Sequence, residues 1–385
     1  MTTALLILAV VFTALMMFGV PVSFSIGIAT LLALFTVTPT PNTALIVSAQ
    51  RVASSLDSFT LVAIPLFILA GGLMNTGGIA MRLIDLAKVL VGWLPGSLAQ
   101  ISVVANALFG AISGSAVASA ASVGATLSPL QRQAGYNMPI CAAANVASSP
   151  CGLLIPPSGA LIVYSLISGG TPVDVLFVAG YIPGILMAGS VMVWLAIIAR
   201  RGELPTDVRR YSMNEAAHIF WRALPALAMI AIIMGGIVGG IFTATEAAGV
   251  AALYTLVLGL LYRSLTLKSL LGSVINASVG TAVVMLMVGV SMTMSWLLAS
   301  TGSVQMLGEA IIGVSSNPYV LLLLLNILLL VLGTFLDITP GLLIFTPIFL
   351  PVAMKLGISP VHFGIIMTFN LCIGIATPPV GSTLF

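Results

Sequence analysis

Charge is what this sequence has least of. Only 5% of its residues are Asp, Glu, Lys or Arg, against 60% hydrophobic, where a soluble domain carries about 25% charged residues. With a mean hydropathy of +1.23, too little polar surface exists to meet water. The solvent is therefore lipid, and an added soluble domain is disfavoured. Twelve basic residues against nine acidic ones give a net charge of +3. That excess is too small and too scattered to bind nucleic acid. There is no P-loop, no HExxH, no GxSxG and no Asp/Glu/His cluster. Enzymatic function and an ATP-driven pump are thereby excluded for this chain alone, so any flux runs on an ion gradient or a partner. His218 falls in a polar connector and His362 opens a helix, neither with a partner at metal-binding spacing. Cys141, Cys151 and Cys372 form an odd set with no CxxC, and read as free buried thiols.

What the chain does have is apolar runs of spanning length, near 4–18, 22–38, 59–75, 97–112, 160–199, 224–242, 245–262, 280–299 and 319–334. The first lacks a basic n-region and reads as a retained helix rather than a cleaved signal. One connector is plainly polar, residues 200–222, with Arg200, Arg201, Arg209, Arg210 and Arg222. The positive-inside rule places it in the cytoplasm. Arg263 and Lys268 follow two runs later, on the same side.

The chain also resembles itself at a shift of 222 residues. Gly27 falls on Gly249, Pro129 on Pro351, Gly135 on Gly357, Gly152 on Gly374, and Pro156–Pro157 on Pro378–Pro379. One constant offset aligning backbone-special residues from distant regions reads as a duplication, itself a transporter signature. The basic loop 263–268 maps onto the uncharged 41–46, which favours halves of inverted topology. The reading is of a first repeat over 1–200, a connector over 201–222 and a second repeat over 223–385. The shift predicts a further crossing of about 40 residues that this sequence does not contain, as a truncated chain would lack it.

Each double proline interrupts an apolar run, in LLIPPSG at 153–159 and IGIATPPVG at 373–381. Two prolines end a helix. A helix broken at membrane depth is tolerated where it lines a cavity or site, its loose carbonyls able to ligate Na⁺ and its restarting end able to face an anion. A simple kink at a helix contact is the plainer alternative. Upstream of each break lies a segment whose small or polar centre fits the tip of a re-entrant hairpin. The tips fall at Ser113–Gly114–Ser115 and at Asp337–Ile338–Thr339–Pro340. Hydroxyl and backbone oxygens there are hard donors of the kind Na⁺ takes, although SGSAVASAASVG also reads as small-residue helix packing. Asp337 could ligate a cation, carry a proton or cap the following helix. Glu246 reads as structural, closing a Thr243-x-x-Glu246 capping box. Asn145, with Ser148 and Ser149 a turn later, could face ion or substrate.

Six stretches carry a wider likeness: IPLFILAGGLMNTGGIAMRLIDLA, FGAISGSAVASAASVGA, LLIPPSG, GGIFTATEAAGVAALY, GTFLDITPG and PVHFGIIMTFNLCIGIATPPVG. With them the chain resembles the large membrane subunit of tripartite ATP-independent periplasmic (TRAP) transporters, a DctM-like family of the ion transporter superfamily. The resemblance implies an all-α integral membrane protein of inverted-repeat, elevator type, with two re-entrant hairpins (near 97–130 and 319–352) and two broken helices (near 139–160 and 361–385). It implies a multi-pass carrier in the bacterial or archaeal cytoplasmic (inner) membrane, importing organic acids of C4-dicarboxylate, sialic acid or sugar-acid type with Na⁺ as coupling ion and no organic cofactor. The implied partners are a small DctQ-like membrane subunit and a periplasmic DctP-like substrate-binding protein. Carried over, one Na⁺ site lies between Ser113–Gly114–Ser115 and the break at Ser148, Ser149 and Gly152. The other lies between Gly333–Asp337 and Gly374–Thr377. The organic anion sits between the tips, with Asn145, Ser158 and Thr377 as candidate contacts. A stand-alone carboxylate carrier of the same superfamily and a non-transporting membrane scaffold are the competing readings.

Overall fold

A computed structural model describes residues 2–384 apart from 77, 207–210, 316 and 379. Arg209, Arg210 and Pro379, singled out above, lie outside the described residues. Among the described residues the chain is helical, without strands. α1 (Thr2–Met17) packs along α2 (Val22–Val37), and α3 (Pro41–Leu56) leads through a 3₁₀ turn at Phe59–Val62 into α4 (Ala63–Thr76). α5 (Ile79–Val91) connects to a hairpin of α6 (Ser97–Ser113) and α7 (Ala116–Gln133). A broken span follows, α8 (Met138–Ser148), the single turn α9 (Cys151–Leu154) and α10 (Gly159–Ile167), bent by 50°. α11 (Val173–Arg200) completes this half, with Ile182, Leu186 and Val193 exposed outward.

The second half runs α12 (Met213–Val238), α13 (Ala244–Leu261), α14 (Leu267–Ser300) and α15 (Ser303–Ile312). It then forms a second hairpin from α16 (Pro318–Gly333) and α17 (Ile338–Lys355), followed by α18 (Pro360–Gly374). Helix boundaries repeat the sequence register. α2 and α13 begin at 22 and 244, α7 and α17 begin at 116 and 338 and end at 133 and 355, and α8 and α18 begin at 138 and 360. The Cys372 thiol lies 3.7 Å from the Pro150 carbonyl, a pair itself 222 residues apart. All three cysteines are free and buried.

Several expectations change. Residues 200–222 are not all connector, because α12 begins at Met213 behind a capping box of Ser212 and Glu215. The run 160–199 is two helices, split at residues 168–172. The run at 280–299 begins thirteen residues sooner, at Leu267, as part of the 34-residue α14. Its counterpart in the first half is not one helix, for α3 and α4 meet at 64°. The cause is local. Asp57 and Ser58 favour turns by bonding their own backbone, and Pro65 admits only the first turn of a helix; α14 has Val279, Gly280 and Met287 at these places. The hairpin arms, of 16 to 18 residues, rise about 25 Å, close to the hydrocarbon thickness. Re-entry is therefore read from where their tips meet, not from their length.

Among the described residues five helices are long and apolar enough to cross a membrane, or up to seven if each bent pair counts as one span. α17 is one of the five, yet 61% of its apolar window is buried inside the protein, as befits a hairpin arm. The helices form two groups. α1–α4, α13 and α14 pack together, and α6–α11 pack with α16–α18. α5, α12 and α15 run between the groups. Ile26, Met294 and Leu298 of the first group meet Leu336 and Ile344 of the second hairpin in one buried cluster.

Thr243 and Glu246 form the expected capping box. The Glu246 carboxylate accepts from the Thr243 N–H at 2.8 Å and from its hydroxyl at 2.9 Å. An amide can accept the same bonds, so Glu246→Gln leaves the unfolding midpoint unchanged; a variant that melts earlier would show that the charge itself matters there.

Candidate functional site between the hairpin tips

The two hairpin tips open on one cavity of about 390 Å³. Residues 113–117 line it from the first hairpin and Asp337, Ile338 and Thr339 from the second. The broken span adds Leu153 and the start of α10, while Ile64, Ile68, Gly280 and Val284 close it from α4 and α14. A larger cavity of about 570 Å³, between α11, α16 and α18, holds neither tip.

The first turns of α7, α10 and α17 all reach the inter-tip cavity. Helix N-termini carry unpaired N–H groups and a partial positive charge, so they favour an anion. Among the described residues no Arg, Lys or His lines the cavity, so these N-termini are the positive ends that face it. The tips are built by the same device with different chemistry. Ser115 caps α7 by accepting from the Ala118 N–H at 3.3 Å. Asp337 caps α17 by accepting from the Ile338 N–H at 2.9 Å. Gly114 takes the left-handed turn between the arms of the first hairpin, with φ of 64°, where a side chain is disfavoured.

Each hairpin is pressed against its break through glycine. Gly152 faces the backbone of Gly110, and Gly374 that of Gly333; a Cβ built on Gly374 falls 2.5 Å from the Gly333 Cα. Such contact is possible only without side chains. Buried amides add to it. Asn106 donates to the Asn145 side-chain oxygen at 2.9 Å and to the Ser148 hydroxyl at 2.9 Å, and accepts from Ser119 at 2.8 Å. Asn145 donates onward to the Ala120 carbonyl at 2.8 Å. In the second half Asn370 donates to Asn326 at 2.6 Å.

The first break is self-repairing. Pro157 has no N–H to offer the carbonyl four residues back, that of Leu153. The Ser158 hydroxyl donates to it instead, which keeps a buried acceptor paired. After α18, the chain turns back on the second hairpin. The Gly381 N–H donates to the Thr334 carbonyl at 3.0 Å, and the Thr383 hydroxyl to that of Ile375 at 2.7 Å. A Cβ at Gly381 would lie 2.9 Å from both the Ile375 and Thr377 carbonyl oxygens. Backbone oxygens thus crowd this corner.

Sequence comparison decides the lineage. The family described as "Tripartite ATP-independent periplasmic transporter, DctM component" matches residues 9–385. The chain belongs to the DctM family. It is 52% identical to the uncharacterised protein YgiK of Salmonella typhimurium, over 97% of this chain and 86% of that one. It is 40% identical to the sialic acid TRAP transporter large permease protein SiaM of Vibrio cholerae, over 95% and 85%. In fold it is similar to the YdaH transporter of Alcanivorax borkumensis, with a TM-score of 0.56 at 15% identity, covering 88% and 78% of the two chains. DctM membership makes the protein a multi-pass transporter permease, not an enzyme.

In this DctM chain the tip residues Ser113, Gly114, Ser115 and Asp337 reach the cavity, while the three expected substrate contacts are placed elsewhere. Asn145 is held by Asn106 and Ala120, Ser158 is fully buried at the break, and Thr377 donates to the Ile373 carbonyl at 2.7 Å. None of them lines the cavity. Ser148 and Ser149, both fully buried, donate to Ala144 and Val146 carbonyls. Gly152, Gly333 and Gly374 are crossing points, as described. The expected second broken helix near 361–385 stops at Gly374 but does not restart among the described residues, where 375–378 and 380–384 are non-helical. Sequence reasoning passed over Asn106, although a carboxamide inside the apolar run 97–112 is the kind of residue that membrane helices seldom keep without use.

Proposed function

We propose that this chain is the carrier subunit of a Na⁺-coupled, binding-protein-dependent importer of organic acids. The observation that carries the proposal is the shared cavity, where two hairpin tips and three helix N-termini converge without a basic side chain. An organic anion would be held there by N–H groups and hydroxyls. Na⁺, written here as co-substrate, would sit where each tip meets its break: by Ser113–Ser115 and the 148–152 turn, and by residues 333–337 and 374–377. Among the described residues no three His, Cys, Asp or Glu cluster. Hydroxyl and carbonyl oxygens, with Asp337, are the donors on offer, and they suit a hard cation. The halves would be inverted repeats, and the group α6–α11 with α16–α18 would move as an elevator against α1–α4, α13 and α14. A small membrane subunit and a periplasmic binding protein would complete the assembly, as the family description implies.

The test is uptake of radiolabelled organic acids into proteoliposomes holding the chain and its small subunit, with Na⁺ and the binding protein each added or withheld. Uptake that needs both supports the proposal. Uptake without the binding protein favours a stand-alone carrier, and no uptake under any condition favours a scaffold. Ser113→Ala and Asp337→Asn each raise the Na⁺ concentration for half-maximal uptake about tenfold, as loss of ~1.4 kcal/mol of ligation would. Unchanged Na⁺ activation in both would remove them from the ion sites.

A further inference from the structure

We infer that a cavity between α1, α2, α14 and the second hairpin is a lipid site, which takes the end of one acyl chain from the bilayer and sets it between the two groups of helices. The inference does not depend on what the carrier transports.

The cavity has a volume of about 180 Å³. α1 contributes Ala9, α2 contributes Ile26 and Ala29, α14 contributes Met294, and α17 contributes Phe345 and Ile348. Among the described residues every one that lines it is apolar. Water placed there would find no hydrogen-bond partner, and an apolar cavity of ~150 Å³ stays dry yet binds benzene. The chemistry recognised is therefore hydrocarbon alone.

Which hydrocarbon is decided by where the cavity opens. Ile26, Met294 and Leu298 are at most 4% exposed and form its floor. Ala9 is exposed at its rim, beside Leu6 and Val10, which face outward. No residue from Ala4 to Phe12 is polar, so this flank of α1 meets acyl chains and not water. Ala9 also stands midway along α1, about 11 Å from either end at 1.5 Å per residue. That is a depth reached by chain ends and not by headgroups. A headgroup would lose its hydrogen bonds there, whereas a chain end has none to lose.

The apolar facing belongs to the second hairpin and not to the repeat. In the 222-residue register, Ile344 and Ile348 of α17 stand where α7 has Ser122 and Thr126. Those two are occupied with hydrogen bonds of their own, Ser122 to the Asn75 side chain at 3.4 Å and Thr126 to the Ser122 carbonyl at 2.9 Å. The duplicated fold thus does not demand a hydrocarbon cavity at this place; the side chains of α17 supply it. The cavity also adjoins the buried cluster in which Ile26, Met294 and Leu298 meet Leu336 and Ile344. A chain end seated there touches α1, α2 and α14 on one side and α17 on the other. The bilayer becomes part of the joint between the two groups.

The experiment is photolabelling in nanodiscs made with a phospholipid that carries a diazirine near the end of one acyl chain, read by peptide mass spectrometry. Lipid that merely surrounds the protein reaches Leu6 and Val10 but not Ile26, Met294 or Leu298. Adducts on these buried residues are expected beside the surface ones, and a diazirine placed next to the headgroup gives surface adducts alone. Ala29→Leu, which fills the cavity from α2, and Ala9→Phe, which blocks its rim, each abolish the buried adducts and keep those at Leu6 and Val10. Adducts confined to outward residues in the wild type overturn the inference, as do buried adducts that persist in both variants. Loss of the buried adducts when the small membrane subunit of the proposed assembly is added also overturns it, because the space would then belong to that partner.

Discussion

Gly152→Ala prevents the first hairpin from seating against the broken span. A Cβ at 152 would meet the Gly110 backbone inside van der Waals contact and stand 2.5 Å from the Ala111 nitrogen. The nearest obstructing atoms are main chain of α6, so no side chain can swing aside. Overpacking typically costs 1–3 kcal/mol; where backbone must move, more than about 3 kcal/mol is expected. The detergent-solubilised variant loses its monodisperse peak in size-exclusion chromatography. Gly272→Ala serves as the comparison, since nothing lies within 4 Å of its Cβ, and it elutes as the wild type does. A Gly152→Ala protein that remains monodisperse and melts normally would show that this crossing is looser than described.

Asn106→Leu has the second largest effect. Asn106 is fully buried, and its amide serves Asn145, Ser148 and Ser119 together. Leucine nearly keeps the volume but strands the Asn145 side-chain oxygen and removes one acceptor of the Ser119 hydroxyl. Each unsatisfied buried group costs about 1–3 kcal/mol, and lipid offers no water in compensation. The variant is expected to lose about 2–4 kcal/mol, read as an earlier melting transition in detergent. Asn106→Asp, which can still accept from Ser119 but cannot donate, recovers only part. A Leu variant melting with the wild type would show that the network holds nothing together.

Backbone-special residues were the legible part of this sequence. Proline and glycine act through their own covalent geometry, so Pro156–Pro157 announced the break without any knowledge of neighbours, and Gly152 and Gly374 marked the register, though not the close crossings they make. The 222-residue register followed from them, and helix boundaries keep it to the residue at α7 and α17. Side-chain roles were less legible, because a polar residue in a membrane segment shows that it has a partner but not which one. Asn145 read as facing ion or substrate, and the structure pairs it with Asn106. Ser158 read as a substrate contact and proved to supply the bond that Pro157 cannot. Bulk hydropathy also concealed α3, whose Gln50, Arg51 and serines dilute its apolar face, and the start of α14, where Lys268 and Ser269 sit in the first turn.

The contact between Cys372 and Pro150 has a meaning beyond packing. The two positions are counterparts in the 222-residue register, so the contact joins one position of the repeat to its own copy. A contact of that kind is what an isologous interface between identical subunits places beside its two-fold axis. At this contact the two ends of the register meet as protomers of a homodimer would at their axis. A change at such a dyad position is felt by both copies of the fold at once. Pro150 and Cys372 are therefore poor places to alter one half while sparing the other, and good places to join or separate the halves as independent polypeptides.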